Sequence, residues 1–300
     1  MVDVVCLGRK IRLLLRSFSM KKGLVLEGGA MRGMFTCGVL DVFMEHGVTF
    51  DGAAGISAGA VFGSNFKSGQ IGRGVRYNKK YAKDPRYCSM KSLRETGNLY
   101  NVDFCYHELP KKLDPFDCEA FAKNPMEFYV GATDIKTGEP VYHKCTDCGD
   151  VDLEWMRASA SMPLVSTPVK VDGYELLDGG IVDAIPLNFL ESKGYDRNVI
   201  ILTQPRGYRK KKTGFFLLWA LRKTPIIGEK MKVRHEMYNQ ELDEIEMREV
   251  AGDVFVIRPP ESLGISRTES NPEELERVYQ IGRSVAEKNL DAMLAFLDKK

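Results

Sequence analysis

The stretch Phe50-Asp51-Gly52-Ala53-Ala54-Gly55-Ile56-Ser57-Ala58-Gly59-Ala60 decides how this chain is read. Residues 50–55 form a short apolar run of strand length, and the chain from Ser57 onward reads as a helix. Between them lies Gly55-Ile56-Ser57-Ala58-Gly59. A sharp strand-to-helix turn presents a serine hydroxyl at its tip, and flanking glycines let neighbouring backbone approach without a Cβ clash. The helix that follows points its amino end, the positive end of its dipole, at that hydroxyl. Taken alone, the pattern serves equally well as a structural glycine turn.

Working outward, Leu24-Val25-Leu26 is a buried strand that ends at Gly28-Gly29. Phe35, Val39, Leu40, Val42 and Phe43 then recur near helical spacing, which predicts a helix over 32–45 closed by His46-Gly47. Strand, turn, helix, repeated twice, implies an α/β fold with a parallel sheet covered on both faces. Residues 67–125 are polar and punctuated and read as short helices and loops. Phe128–Ile135 and Pro140–His143 are strands joined at Lys136-Thr137-Gly138, and Val169–Leu177 is a hairpin turning at Asp172-Gly173. Asn198–Thr203 fits a central parallel strand, and Val254–Ile257 a further one. Residues 272–298 read as a terminal helix pair with Leu275, Val278, Tyr279 and Ile281 inward.

Bulk composition narrows the function. A formal net charge of +2 does not by itself imply a nucleic-acid partner. No window is long and apolar enough for a membrane span. Seven cysteines, an odd number in a 300-residue chain, read as reduced thiols of a cytoplasmic protein rather than a disulfide framework. Cys145-x-x-Cys148 with His143 lacks a second ligand pair, so it reads as a loop with two incidental thiols and no metal. In residues 1–19, basic residues interrupt the apolar stretch Ile11–Leu15 and no small-residue cleavage site follows, so a signal peptide is not expected. Met20-Lys21-Lys22 leads directly into the first strand. Met20 is the expected natural start, with 1–19 an upstream extension; a peptide from 1–19 in the natively expressed protein overturns this.

Two further motifs bear on Ser57. Glu27-Gly28-Gly29-Ala30-Met31-Arg32-Gly33 follows a strand and opens a helix, where backbone N–H groups point outward at an oxyanion or a phosphate. As an oxyanion hole, Gly29 and Ala30 offer donors, Ala58 offers a third, and Arg32 balances substrate charge. The rival reading is a dinucleotide fingerprint, Gly28-x-Ala30-x-x-Gly33 with Asp51 as the ribose-binding acid. Leu177-Asp178-Gly179-Gly180 also follows a strand. An aspartate before paired glycines is often only a turn. It also suits a carboxylate base whose proton affinity desolvation raises. A Ser-Asp-His triad in hydrolase order needs a histidine after the acid, and His235 is the one available, in a helical-looking basic stretch without a turn signal.

The motifs in this order resemble the patatin-like phospholipase family: the glycine-rich turn with Arg32, the Gly55-x-Ser57-x-Gly59 elbow, and Asp178-Gly179-Gly180 continuing to Asp183 and Pro186. Ala158-Ser159-x-x-x-Pro163 is similar to a further family element, and Arg234, Tyr238 and Asn239 look like the C-terminal part of bacterial members. The resemblance implies a three-layer α/β/α fold with a mostly parallel sheet, a catalytic core over 20–205, and residues 206–300 packed on the same domain. It implies a lipid acyl-hydrolase with Ser57 as nucleophile, Asp178 as base and no histidine. The turn Gly28–Gly33 is then the oxyanion hole, and no cofactor is needed. The family commonly has Gly where this chain has Ala30; if that position needs positive φ, alanine is strained there by about 1 kcal/mol. A serine hydrolase on non-lipid esters or thioesters, and a non-catalytic nucleotide- or lipid-binding protein, are the alternatives.

Residues 206–234 carry one more signal. Arg206, Arg209, Lys210, Lys211 and Lys212 precede Phe215-Phe216-Leu217-Leu218-Trp219, and Arg222, Lys223, Lys230, Lys232 and Arg234 follow. Cationic and aromatic residues together fit peripheral contact with an anionic membrane. An ordinary core helix with solvated flanks fits equally.

Overall fold

A computed structural model describes residues 20–299, so the expectation for residues 1–19 lies outside the described residues. The strands are β1 (Lys21–Leu26), β2 (Gly52–Ile56), β3 (Glu127–Asp134), β4 (Pro140–Cys145), β5 (Val169–Val171), β6 (Tyr174–Asp178), β7 (Tyr195–Ile201) and β8 (Val254–Ile257). The helices are α1 (Gly33–Glu45), α2 (Ala58–Lys67), α3 (Arg73–Tyr81), α4 (Met90–Thr96), α5 (Cys118–Lys123), α6 (Asp150–Ser159), α7 (Leu187–Ser192), α8 (Phe215–Ala220), α9 (Pro225–Ala251) and α10 (Pro272–Leu297).

Strands β3, β2, β1, β7 and β8 lie side by side and parallel. Alternation along each strand divides the core between two faces. Leu24 and Leu26 of β1 face one way, with Phe35 and Phe43 of α1, Phe62 of α2 and Val278 of α10. Val25 faces the other way, with Leu187 and Leu190 of α7 and Tyr238, Leu242 and Ile245 of α9. Helices on both faces of a mostly parallel sheet make the expected three-layer α/β/α fold. The contact of α10 with α1 is close enough to require glycine. A Cβ on Gly38 would strike the Tyr279 carbonyl, and one on Gly282 the Phe35 carbonyl.

Two expectations are corrected, and one is made more specific. Residues 272–297 form one uninterrupted 26-residue helix rather than a pair; no Gly-Pro break lies inside it, and Asn271 caps its start by accepting from the Glu273 amide at 3.1 Å. Within the region read as short helices and loops, Asp103–Leu113 is an eleven-residue π-helix. Cys118 and Cys148 form a disulfide joining the start of α5 to the loop before α6, so the cysteines are not all thiols.

Candidate active site

Strand β2 enters a strained turn at Ser57, whose backbone has φ +53° and ψ −121°. Few L-residues adopt such a conformation, and it costs on the order of 1–3 kcal/mol. The neighbouring glycines are dictated by contact. A Cβ on Gly55 would lie 2.6 Å from the Gly59 carbonyl oxygen, and one on Gly59 would sit on the Leu26 carbonyl. Ser57 is the N-cap position of α2, so that helix's amino end faces the serine. The Ser57 amide donates to Ser159 Oγ at 2.8 Å, and that hydroxyl donates to the Gly131 carbonyl at 2.6 Å. Ser159 therefore ties the elbow to β3.

Register explains how Asp178 arrives. Strand β3 outlasts β2: Gly131 pairs with Ile56, the last residue of β2. On the same edge the next residue, Ala132, pairs with Asp178 of antiparallel β6. The other edge of β3 is occupied by β4. Strands β2 and β6 thus meet head-on, and their C-terminal residues, Ile56 and Asp178, abut. Asp178 is 1% exposed. Its amide donates to the Ser161 carbonyl at 2.8 Å, and its carbonyl accepts from Thr133 Oγ1 at 2.9 Å. Oδ1 accepts from the Gly180 amide at 2.8 Å. Oδ2 is buried without a hydrogen bond of good geometry. Burial pushes the carboxyl above the ordinary carboxylate range; the Arg234 charge, then the Ser57 hydroxyl and the Gly180 amide, pull it partly back. Gly179 sits against the Gly131 carbonyl, where a side chain would clash.

The glycine-rich turn packs against this elbow: a Cβ on Gly28 would lie 3.1 Å from both the Ile56 oxygen and Ser57 Cβ. Several of its amides are committed internally. Gly28 N–H donates to Ala184, Arg32 N–H to Gly29, and Gly33 N–H to Ala30 and Met31 carbonyls. Among the described residues, the amides of Gly29, Ala30 and Ala58 have no protein acceptor. Ala30 does adopt positive φ, +49°, so alanine here carries the strain inferred above. The dinucleotide reading loses its acid. Asp51 precedes β2 and accepts the Lys22 amide at 2.7 Å near the start of β1, whereas the glycine turn follows the end of β1. The two lie at opposite ends of parallel strands.

Ala30, Met31, Ser57 and Ala58 open onto a cavity of about 630 Å³. Its walls are largely apolar, including Phe62, Tyr77, Leu109, Phe116, Leu153 and Met156, and the π-helix supplies part of them. Such a lining with a few polar groups at one end is typical of small-molecule sites. His235 is buried on α9 but does not line the cavity. His143, Cys145 and Asp152 cluster elsewhere. Both oxygens of Asp152 are engaged there, Oδ1 with His143 and Oδ2 with the amides of Thr146, Asp147 and Cys148.

Sequence reasoning missed three supports of the site. Ser159 was visible only as a motif residue without a role. Glu27 is 1% exposed and accepts from the Thr203 amide and hydroxyl and from the Tyr238 hydroxyl, which anchors the glycine turn to the segment just after β7 and to α9. Arg234 donates to the Gly180 carbonyl behind Asp178. All are long-range contacts that no local pattern encodes.

The sequence model of the patatin-like phospholipase family matches residues 24–190, and that of a domain of unknown function matches 224–298. The uncharacterized protein YjjU of Escherichia coli is 29% identical over 293 residues, 93% of this chain and 80% of that protein. The lysophospholipase NTE1 of Scheffersomyces stipitis is 23% identical over 89% of this chain, which spans only 18% of that protein. A solved structure, VipD from Legionella pneumophila, aligns over 91% of this chain and 67% of its own at a TM-score of 0.45 and 14% identity. With more than half of its residues matched, including Ser57 and Asp178, this chain belongs to the patatin-like phospholipase family of lipid acyl hydrolases.

Proposed function

We propose that the chain hydrolyses acyl esters of phospholipids or lysophospholipids through a Ser57–Asp178 dyad and an acyl-enzyme. The observation that carries this is the head-on meeting of β2 and β6, which sets a buried, underbonded carboxylate beside a serine held at a strained elbow. Asp178 takes the Ser57 proton as Oγ attacks the ester carbonyl. The amides of Gly29, Ala30 and Ala58 receive the oxyanion, each contributing about 100- to 1000-fold in rate. Asp178 returns the proton to the departing alcohol. It then deprotonates water, which attacks the acyl-enzyme, frees the fatty acid and leaves Ser57 reprotonated. The apolar cavity takes the acyl chain. The name of the fungal relatives, lysophospholipase, points to the same substrates.

Helix α8 favours peripheral membrane contact over the core-helix alternative. None of its residues is buried; Phe215, Phe216 and Trp219 are 75%, 85% and 57% exposed. Lys210, Lys211, Lys212, Gly214 and Leu217 line the same cavity as Ser57, so this aromatic tip stands at its mouth. Aromatic side chains flanked by lysines suit the interface of an anionic bilayer. No helix of the described residues is long and apolar enough to cross a membrane. Among the described residues four cysteines are free, which favours a cytoplasmic setting, and the Cys118–Cys148 pair is the observation against it; thiol counting in unfolded protein from intact cells decides between them.

The test is release of fatty acid from a lysophospholipid by the wild type, Ser57→Ala and Asp178→Asn. Turnover by the wild type alone supports the dyad. Turnover by either variant near the wild-type rate rejects it. Replacement of Phe215, Phe216 and Trp219 by serine is expected to abolish sedimentation with anionic vesicles; unchanged sedimentation removes the membrane role.

A further inference from the structure

The cations around the cavity are not alike. Arg73 is paired with Asp114 and Arg157 with Glu154. Lys210, Arg234 and Arg267 line the same cavity, and among the described residues none of them has a carboxylate within ion-pair distance. Arg32 follows Ala30 and Met31 of the lining, and its Nε reaches only Thr203 Oγ1 at 3.4 Å. The four charges repel one another: Arg234, Arg32 and Arg267 all act on Lys210, and Arg267 and Arg32 on Arg234. Burial, then this crowding, pulls the Lys210 ammonium down to about 7 even though Glu27 supports its charge. Its Nζ lies 4.0 Å from the Tyr238 ring centre.

Two carboxylates face the group, and both have other work; a third carboxyl, Glu241, also lies within the field of Lys210, but burial and then the Asp183 charge push it up to about 9, so it is protonated near neutral pH. Glu27 is bound by Thr203 and Tyr238, and Asp178 by the Gly180 amide beside Ser57. Among the described residues, no aspartate or glutamate lines the cavity. Three half-buried cations, with exposed Arg267 at their edge, against two carboxylates leave excess positive charge in a partly desolvated place, a costly arrangement unless an anion completes it. Guanidinium forks and an ammonium on one site are the donor set that recognises phosphate.

We propose that Arg32, Lys210, Arg234 and Arg267 form a seat for the substrate's phosphate, which makes acyl glycerol phosphates without a cationic headgroup the preferred substrates. The assignment rests on the lipid-hydrolase reading for its place beside the scissile ester. A zwitterionic headgroup would bring its ammonium to a wall that offers Lys211 and Lys212 and no carboxylate.

Two measurements test it. In calorimetry, the Ser57→Ala protein is expected to bind glycerol 3-phosphate saturably. Adding Lys210→Gln or Arg267→Gln is expected to weaken that binding about 10-fold or more, the worth of one charged hydrogen bond. In kinetics below the micelle threshold, wild-type kcat/KM for a lysophosphatidic acid is expected to exceed that for the lysophosphatidylcholine and monoacylglycerol of the same acyl chain by about 10-fold or more. The same substitutions are expected to shrink that ratio toward one. Arg267 is exposed, so its replacement does not threaten folding. Hydrolysis without this preference, or with a preference the substitutions leave intact, overturns the seat. Inorganic phosphate binding as tightly as glycerol 3-phosphate, without ester preference, assigns the cluster to free phosphate and overturns the substrate claim. Glycerol 3-phosphate binding without hydrolysis of any of the three lipids keeps the seat and overturns the hydrolase reading instead.

Discussion

Replacing Ser159 by alanine tests how the elbow is held. The Ser159 side chain is 0% exposed, and its hydroxyl bridges two backbone groups, the Ser57 amide and the Gly131 carbonyl. Alanine leaves a buried donor and a buried acceptor without partners. Each loss costs about 1–3 kcal/mol, and partial relaxation brings the sum to roughly 2–4 kcal/mol. The Ser57 conformation is strained, so a lost tether lets the turn relax away from φ +53° and carries the hydroxyl away from Asp178. A misplacement of this kind is worth up to about 100-fold in rate. The assays are urea denaturation with enzymatic refolding as a reversibility check, and the rate at which a fluorophosphonate labels the protein. A lower urea midpoint together with slow labelling is expected. An unfolding free energy within about 0.5 kcal/mol of wild type, with labelling at the wild-type rate, refutes the reasoning.

Other expectations follow from the same geometry. Hydrolysis of a neutral ester should rise with pH as Asp178 loses its proton, with the acid limb above the ordinary carboxylate range; Arg234→Gln removes a favourable charge and should move that limb to higher pH. Gly59→Ala places a Cβ on the Leu26 carbonyl and should abolish activity, and soluble wild-type-like enzyme from that variant contradicts the packing argument. Glu241, beside Asp183, is pushed up to about 9, chiefly by burial and then by the Asp183 charge. A carboxyl raised in the folded state stabilises fully below its unfolded value of 4.5 and loses that contribution as pH climbs toward 9, at roughly 1 kcal/mol per pH unit. Glu241→Gln should therefore flatten stability between pH 5 and 9, as read by denaturation midpoints. Ser57→Gly relieves the positive φ and should raise stability by about 1 kcal/mol while removing activity.

Much of this site is written locally. The elbow at Gly55–Gly59 follows from two backbone clashes, and the hairpin at Asp172-Gly173 from residues with φ of +50° and +80°. The central strands announce themselves because a strand buried on both faces is apolar throughout, as Val199–Ile201 is. What stayed hidden depends on pairing across the sheet. No local signal says that β6 meets β2 end to end, yet that register is what brings Asp178 to Ser57. The commitment of the Gly28, Arg32 and Gly33 amides likewise needed their partners. Cys118 and Cys148 are 30 residues apart, and only the packing of α5 against the loop before α6 joins them. The exposure of α8 was undecidable for a related reason: an aromatic run with lysine flanks is the same string whether its neighbours cover it or not.

The most direct test of the central claim is peptide mapping after a fluorophosphonate probe reacts with the wild type and with Asp178→Asn. One adduct on the peptide containing Ser57, formed by the wild type and slowed at least 100-fold in Asp178→Asn, is the expected result. An adduct on another residue, or labelling of Ser57 that Asp178→Asn leaves unchanged, contradicts the dyad.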